Sequence, residues 1–225
     1  MGDRISFRRN DYLHTVNPRW RGNPTVNGRF FNRQHRWKPG MVSVLKWRLS
    51  PNPQRKEKKQ VKWDPKVHFI HSLDNVIRNS LIWLGHNSFF LQLGGKRFMI
   101  DPVFGSIPFV KRRSAFPANP SVFRNIDYLL ISHDHFDHLD KPSVVKLFAL
   151  NPLMKLFCGI GTGELIKSWL PDMDVIEAGW YQQHVEDGLS LTFLPAQHWS
   201  KRGVSDGGER LWGAFMIQAD GITIY

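Results

Sequence analysis

A dense group of histidine and aspartate residues is the clearest chemical feature of the sequence: His133, His135, Asp137 and His138 fall within six residues. They follow the apolar run DYLLIS, which has the composition of a strand covered on both faces. Neutral imidazole nitrogens and carboxylate oxygens bind Zn²⁺ at about 2.0–2.2 Å, and ligands this close in sequence need little chain closure. The spacing lets His133 and His135 turn toward one metal ion, and Asp137 and His138 toward a second. The alternative is that these four polar residues only occupy a turn and bind nothing. It explains the sequence less well, because imidazoles crowded at a buried strand end carry a desolvation cost.

A further ligand is needed downstream, and His198 in PAQHW is the candidate. It follows the apolar run LTFLPA, so it lies at the end of a predicted strand, as His133 does. A lone histidine beside a tryptophan is ordinarily a packed or solvent-edge residue. The upstream cluster favours a metal ligand instead.

The single cysteine, Cys158, excludes an intramolecular disulfide and a cysteine-based zinc finger. We interpret it as a small core residue. The sequence shows no Ser-His-Asp or Cys-His arrangement, which agrees with chemistry that uses metal ions and no protein nucleophile. One unpaired thiol fits a reducing compartment, so we expect a cytoplasmic protein.

Short apolar runs separated by turns must position these side chains. A meander of strands is predicted at 81–84, 88–93 and 97–101, and further strands at 127–132, 155–158, 175–177, 189–195, 214–219 and 222–225. Helices are predicted at 142–150, where Pro142 suits the first turn, and at 163–170. Strand-helix units mixed with meanders indicate an α/β fold, in which helices pack outside the sheets.

Net charge divides the chain into two parts. Residues 1–66 contain 17 Lys and Arg against 4 Asp and Glu, a net of +13, and residues 67–225 contain 14 against 15, a net of −1. We predict a basic N-terminal arm, 1–66, partly wrapped on a domain formed by 67–225. A nuclease would carry positive charge on its catalytic domain, so we expect no nucleic-acid partner.

The arm has two interpretations. It holds scattered aromatics, among them Trp37 and Trp63, and one predicted short helix at 41–49. It contacts an anionic membrane surface, or it wraps over the domain with its aromatics buried. Gly2 and Ser6 fit the N-myristoylation pattern, which is short enough to occur by chance. No run approaches the about 18 apolar residues that span a bilayer, so any membrane contact is expected to be peripheral.

Three segments carry a family resemblance: WLGHNSFFLQLGGKRFMIDPVF, SHDHFDHLD and PAQHWSKRGVSDGGERLWGAF. They resemble the metallo-β-lactamase superfamily of metal-dependent hydrolases. Within it, they are most similar to the phospholipases D that hydrolyse N-acylphosphatidylethanolamine. The metal motif identifies only the superfamily, whereas QHW-KR and LWG-F are more selective.

The resemblance implies a two-zinc centre, with Mn or Fe as alternatives. His133, His135 and His198 would hold one ion, and Asp137 and His138 would hold the other at the catalytic centre. Asp101 corresponds to an aspartate that orients a ligand histidine, although a turn or N-cap aspartate is equally compatible. His86 is a weaker candidate on a loop beside the site.

The fold implied is an αββα sandwich. In the family, a strand like 222–225 leads into a metal-bridging aspartate, and a later strand end supplies one more histidine. This sequence offers five of seven expected ligands, so we expect the C-terminal part of the sandwich to be missing from it. We also expect metal to bind weakly at the His133, His135 and His198 position, without a stable second metal. A natural short form without catalysis is the alternative.

The function implied is phosphodiester hydrolysis of an N-acyl phospholipid by a hydroxide held between the metals. Trp199 and Trp212 are candidates for an apolar groove that takes an acyl chain. The alternatives are a lactonase or another hydrolase of small molecules on the same metals, and a non-catalytic binding protein. The sequence is also compatible with a homodimer.

Overall fold

The computed structural model describes residues 4–32, 41–61, 65–74, 76–107, 112 and 114–225. Gly2, Trp37 and Trp63 of the predicted arm lie outside the described residues. The elements, in chain order, are β1 Ile5–Arg8, β2 His14–Thr15, β3 Asn23–Val26, β4 Arg29–Phe30, α1 Met41–Leu49, α2 Arg55–Gln60, β5 Ser80–Gly85, β6 Ser88–Leu93, β7 Lys96–Ile100, β8 Tyr128–Ile131, α3 Lys141–Leu150, β9 Lys155–Gly159, α4 Thr162–Lys167, β10 Asp174–Ala178, β11 Gln182–Glu186, β12 Leu189–Leu194, β13 Ala214–Ala219 and β14 Ile222–Ile224.

Two sheets carry the domain. A six-stranded sheet has the order β10-β9-β8-β7-β6-β5, and β7 to β10 run parallel to one another. A five-stranded antiparallel sheet has the order β14-β13-β12-β11-β2. A small third sheet, β1-β3-β4, belongs to the arm.

Side-chain alternation in β8 shows how the layers are built. All four residues of this central strand are buried. Tyr128 and Leu130 point into an apolar cluster that also contains Leu191 and Phe193 of the second sheet. Leu129 and Ile131 point the other way, into a cluster with Val144 and Leu147 of α3 and Ile166 of α4. A strand that is covered on both faces reads as a continuous apolar run, as the sequence predicted.

The α/β sandwich prediction is confirmed in three layers: helices α3 and α4, the six-stranded sheet and the five-stranded sheet. Helices α1 and α2 bury none of their described side chains. The described residues therefore do not form the second outer helical layer of an αββα arrangement. None of the helices in these ranges is both long and apolar enough to cross a bilayer.

The first half of the arm packs on the domain, as the wrapping interpretation requires. Strand β2 extends the five-stranded sheet beside β11. Phe30 lies in the cluster between the sheets, and Trp20 contacts the rings of Trp180 and Tyr181. Sequence periodicity predicted no strand in this region, and the division at residue 66 stays a prediction.

The strand directions bring the chemical residues to one edge of the sandwich. β5, β7 and β8 all run the same way, because β5 and β7 each lie antiparallel to β6 between them and β7 is parallel to β8. Their carboxyl ends lead to His86, Asp101 and His133 respectively. The loop after β12 brings His198 to the same edge, where its Nε2 lies 3.0 Å from Nε2 of His133.

Candidate metal centre

The motif loop begins where β8 ends and is folded into a single turn. The backbone N–H groups of His138 and Leu139 both donate to the carbonyl oxygen of His135. Asp140 then accepts from the N–H of Ser143 and caps helix α3. Such an N-cap satisfies a helix N–H that has no partner within the helix. The loop is therefore held at both ends, by the strand and by the helix.

Three imidazoles converge at this edge. Nε2 of His133 lies 2.9 Å from Nδ1 of His135 and 3.0 Å from Nε2 of His198. Nε2 of His135 is buried and has no hydrogen-bond partner among the described residues. The structure thus brings together the three residues predicted for the first metal, one of which is more than sixty positions from the others.

The surroundings of the three imidazoles lower their pKa values and so favour the neutral form. Burial lowers the pKa of His133, and the neighbouring imidazoles of His138, His198 and His135 lower it further. Burial also lowers the pKa of His135 and of His198. Each neutral imidazole has one nitrogen with a free lone pair, which can bind a metal ion.

A metal ion fits this donor set. Ligands of a tetrahedral zinc at about 2.0–2.1 Å stand about 3.3 Å from one another, close to the separations observed between these nitrogens. Three histidines with an open fourth position are the ligand set of a catalytic zinc rather than of a closed structural one.

A second group lies beside the first. It contains His86, Asp137 and His138, whose ligand atoms lie within 4.8 Å of one another. Nε2 of His86 is 3.1 Å from Oδ2 of Asp137, and Nε2 of His138 is 3.8 Å from the same oxygen. Burial opposes ionisation of Asp137, but His138 and His86 outweigh it and lower the pKa of this carboxyl. The structure thus places His86, predicted as the weaker candidate, next to the predicted ligands Asp137 and His138.

Asp101 lies against His138 of the second group. It is 4 % exposed, and its Oδ2 lies 2.8 Å from Nδ1 of His138. Ser132 donates its N–H to Oδ1 of Asp101 and its hydroxyl to Oδ2. A carboxylate on Nδ1 fixes the proton there and leaves Nε2 with its lone pair for a metal. The orienting role that the resemblance implied for Asp101 stays a prediction.

Sequence reasoning missed two residues of the site. Ser132 lies within hydrogen-bond distance of ring nitrogens of both His133 and His138. The amide of Asn87 lies 2.9 Å from Nε2 of His138 and 3.1 Å from Nε2 of His86. Both residues are sequence neighbours of predicted site residues, which was the available signal.

The two tryptophans proposed for an acyl groove have different surroundings. Trp199 is 44 % exposed, and its ring centroid lies 4.4 Å from that of His135. Trp212 is buried in the core, where it contacts Trp180 and donates its indole N–H to the carbonyl oxygen of Ala196. The groove prediction is therefore wrong for Trp212, because a ring packed between the sheets offers no surface to a ligand.

Comparison with known proteins agrees with this geometry. The sequence profile of the Beta-lactamase superfamily domain matches residues 96–225. The N-acyl-phosphatidylethanolamine-hydrolyzing phospholipase D 1 of Caenorhabditis elegans is 30 % identical over 230 residues, which cover 90 % of this chain and 64 % of that protein. A metal-dependent hydrolase of Sulfurisphaera tokodaii is 29 % identical over 148 residues, which cover 64 % of this chain and 59 % of that protein.

Among solved structures, Igni18, a metallo hydrolase from Ignicoccus hospitalis, is similar with a TM-score of 0.47 and 21 % identity, over 64 % of this chain and 57 % of Igni18. The chain spans 64 % and 59 % of the two curated relatives. The profile match extends over more than half of the chain and includes the motif loop and His198. The chain therefore belongs to the metallo-β-lactamase superfamily of metal-dependent hydrolases.

Proposed function

We propose that this protein is a zinc-dependent phosphodiesterase of the phospholipase D type, acting on N-acyl phospholipids. The convergence of His133 Nε2, His135 Nδ1 and His198 Nε2 at one edge of the sandwich carries the proposal. When bound, the metal ions supply Lewis-acid chemistry, which polarises a phosphoryl oxygen and makes water a nucleophile near neutral pH. The C. elegans relative is named for hydrolysis of the same lipid class.

The side chains of this protein prepare the site in three ways. Burial keeps the imidazoles of His133, His135 and His198 neutral and able to act as ligands. Asp101 holds the proton of His138 on Nδ1. Asp137 is held as a carboxylate by His138 and His86, so that it can ligate without first losing a proton.

Features near the site and in the arm support a lipid substrate. The half-exposed ring of Trp199 gives an apolar surface directly beside His135. Helix α1 exposes apolar side chains next to two basic ones: Val42, Leu45, Trp47 and Leu49 with Lys46 and Arg48. Apolar and basic residues together favour the interface of an anionic membrane. We propose that the arm holds the enzyme there as a peripheral protein.

The test is a comparison of kcat/KM for three substrates: an N-acyl phospholipid in vesicles, a soluble phosphodiester and a sugar lactone. We expect the lipid to be preferred. A lactone that is better by about ten-fold, or about 1.4 kcal/mol of transition-state discrimination, would contradict the lipid assignment.

The variant His135→Ala tests the metal centre in the same assay. It removes one of three converging nitrogens, so we expect metal content and turnover to fall together. His71→Ala is the matched control, because His71 is exposed and its ring contacts Phe69 rather than the site. Full activity in His135→Ala would exclude the proposed centre.

A further inference from the structure

The two segments that carry the three imidazoles are joined by a buried ionic network outside the ligand set. His133 and His135 lie on the loop after β8, and His198 lies on the loop after β12. Because the two loops are far apart in sequence, their relative position depends on the contacts between them. A group of such contacts lies around Asp134.

Asp134 lies between the predicted ligands His133 and His135 in the sequence, but its carboxylate accepts hydrogen bonds from a different loop. Its side chain is completely buried. Oδ1 accepts the backbone N–H of Lys201 at 3.1 Å, and Oδ2 accepts from Nη1 of Arg210 at 2.9 Å. Both of its oxygens therefore bind the loop that carries His198.

Arg210 continues the network within that loop. Its Nη1 also donates to Oδ2 of Asp206 at 2.7 Å. Oδ1 of Asp206 accepts the backbone N–H groups of Arg202 and Gly203. The loop from 201 to 210 is thus closed on itself by Asp206 and fastened to the motif loop by Arg210.

Arg202 lies on the loop that carries His198 and donates hydrogen bonds to the backbone of the motif loop. Its Nη1 donates to the carbonyl oxygens of Asp134 at 2.8 Å and of Leu139 at 2.7 Å. Its guanidinium lies 4.1 Å from the centroid of the Phe136 ring. The motif loop is therefore held from both sides, by its side chain at Asp134 and by its backbone.

We propose that Asp134 and Arg210 are positioning residues that set the separation between His198 and the His133–His135 pair. This inference rests on the proposed metal centre. A buried ion pair is costly to break, because removal of one partner leaves the other charge without compensation. Outer contacts of this kind typically contribute about 10- to 100-fold to metal affinity.

The test is a Co²⁺ titration of the full chain, followed by the d–d absorption of the bound ion. In Asp134→Asn, the amide N–H₂ must face either the Lys201 N–H or the Arg210 guanidinium. We expect the Co²⁺ concentration for half-saturation to rise by about ten-fold or more, with an altered spectrum. Arg210→Lys keeps the charge and is expected to lie between Asp134→Asn and the unmodified chain.

Glu186→Gln is the matched control for lost stability. Glu186 forms a partly exposed ion pair with Lys155 at the start of β9, the end of the sheet opposite to the motif loop. The same carboxylate-to-amide change there is expected to lower Tm and to leave the Co²⁺ titration and spectrum unchanged.

The outcomes separate the two proposals. If Asp134→Asn lowers Tm but binds Co²⁺ with the affinity and spectrum of the unmodified chain, Asp134 is only structural and the positioning inference is wrong. Should Asp134→Asn not fold, an unchanged titration of Arg210→Lys overturns it equally. If the unmodified chain binds no Co²⁺, the metal centre fails and this inference fails with it. Lipid hydrolysis is not needed for any of these readings.

Discussion

In each imidazole, the contact made by one ring nitrogen determines whether the other nitrogen has a lone pair available for a metal ion. His138 has Nδ1 at Asp101 and turns Nε2 toward Asp137. His133 has Nδ1 within 3.0 Å of the Ser132 hydroxyl and turns Nε2 toward the other two rings. His135 differs, because its Nε2 is buried without a partner in the part of the chain that the structure describes, and its ring packs on Trp199. Asp101 and Ser132 therefore select the ligand atoms of two of the four motif residues.

Asp101→Asn tests this selection. The amide keeps the shape of the side chain but no longer pairs a full negative charge with Nδ1 of His138. We expect the affinity of the Asp137–His138 group for metal to fall by about 10- to 100-fold, while the His133 group keeps its affinity. Competitive titration with a chromophoric chelator measures both sites. An equal loss at both sites would indicate general unfolding instead of a lost orientation.

At the scale of elements, β9 ends in a glycine that the packing requires. A Cβ built on Gly159 would lie 2.2 Å from the carbonyl oxygen of Leu211 and 3.1 Å from the ring of Phe193. This close approach lets the loop after β12 return against the six-stranded sheet, where the N–H of Leu211 donates to the carbonyl oxygen of Ile160.

Gly159→Ala is therefore expected to destabilise the fold by about 3 kcal/mol or more, since backbone must move to admit the methyl group. Urea unfolding followed by tryptophan fluorescence measures the change. Gly105→Ala is the control, because no atom of the described residues lies within 4 Å of a Cβ at that position. Equal stability of the two variants would contradict the packing described for β9.

The apolar strands could be predicted from sequence, whereas β11 could not. β8 is a continuous apolar run that is buried on both faces. β12 alternates apolar with polar residues, and Leu189, Leu191 and Phe193 are buried on one face. In β11 the pattern is inverted: Gln182 is buried and Val185 is 62 % exposed. Gln182 is satisfied by the backbone of Asn10, more than 170 residues away. No local pattern reveals a partner at that separation.

The same limit applies to the site. The proximity of His133, His135 and His198, and of Asp137 and His138, could be predicted because metal chemistry demands those residue types near strand ends. Asp134 could not, because its partner Arg210 follows 76 positions later. Trp212 was misassigned, since an aromatic beside a motif carries no sign of which way it faces.

At the scale of the whole molecule, Glu186 joins the two sheets. It lies on β11 and accepts hydrogen bonds from Lys155 on β9 and from the hydroxyl of Tyr128 on β8. These partners, Lys155 first, lower the pKa of Glu186 from 4.5 to about 2. The folded-state pKa is depressed, so the stability it contributes is fully present above pH 4.5 and is lost as the pH falls toward 2.

Glu186→Gln should therefore be less stable than the unmodified chain at pH 6, and the difference should shrink to about half or less at pH 3. Denaturant unfolding at the two pH values measures it. A deficit that is the same at both values would show that the charge of Glu186 is not what links the sheets.

Helix α1 is the part of the arm that we propose contacts a membrane. If α1 enters a lipid interface, Leu45→Ala should weaken binding to anionic vesicles, and added salt should weaken it further by screening Lys46 and Arg48. Leu153→Ala is the matched control, because Leu153 is 92 % exposed on the domain. Vesicle co-sedimentation measures both. Equal binding by the two variants would favour an arm that does not touch the membrane.

The central claim is that three imidazoles hold one metal ion, and anomalous diffraction at the zinc edge tests it most directly. Crystals of the protein grown with zinc should show a peak about 2.0–2.1 Å from Nε2 of His133, Nδ1 of His135 and Nε2 of His198. Zinc bound only at other residues, with these three nitrogens left without an ion, would contradict the account.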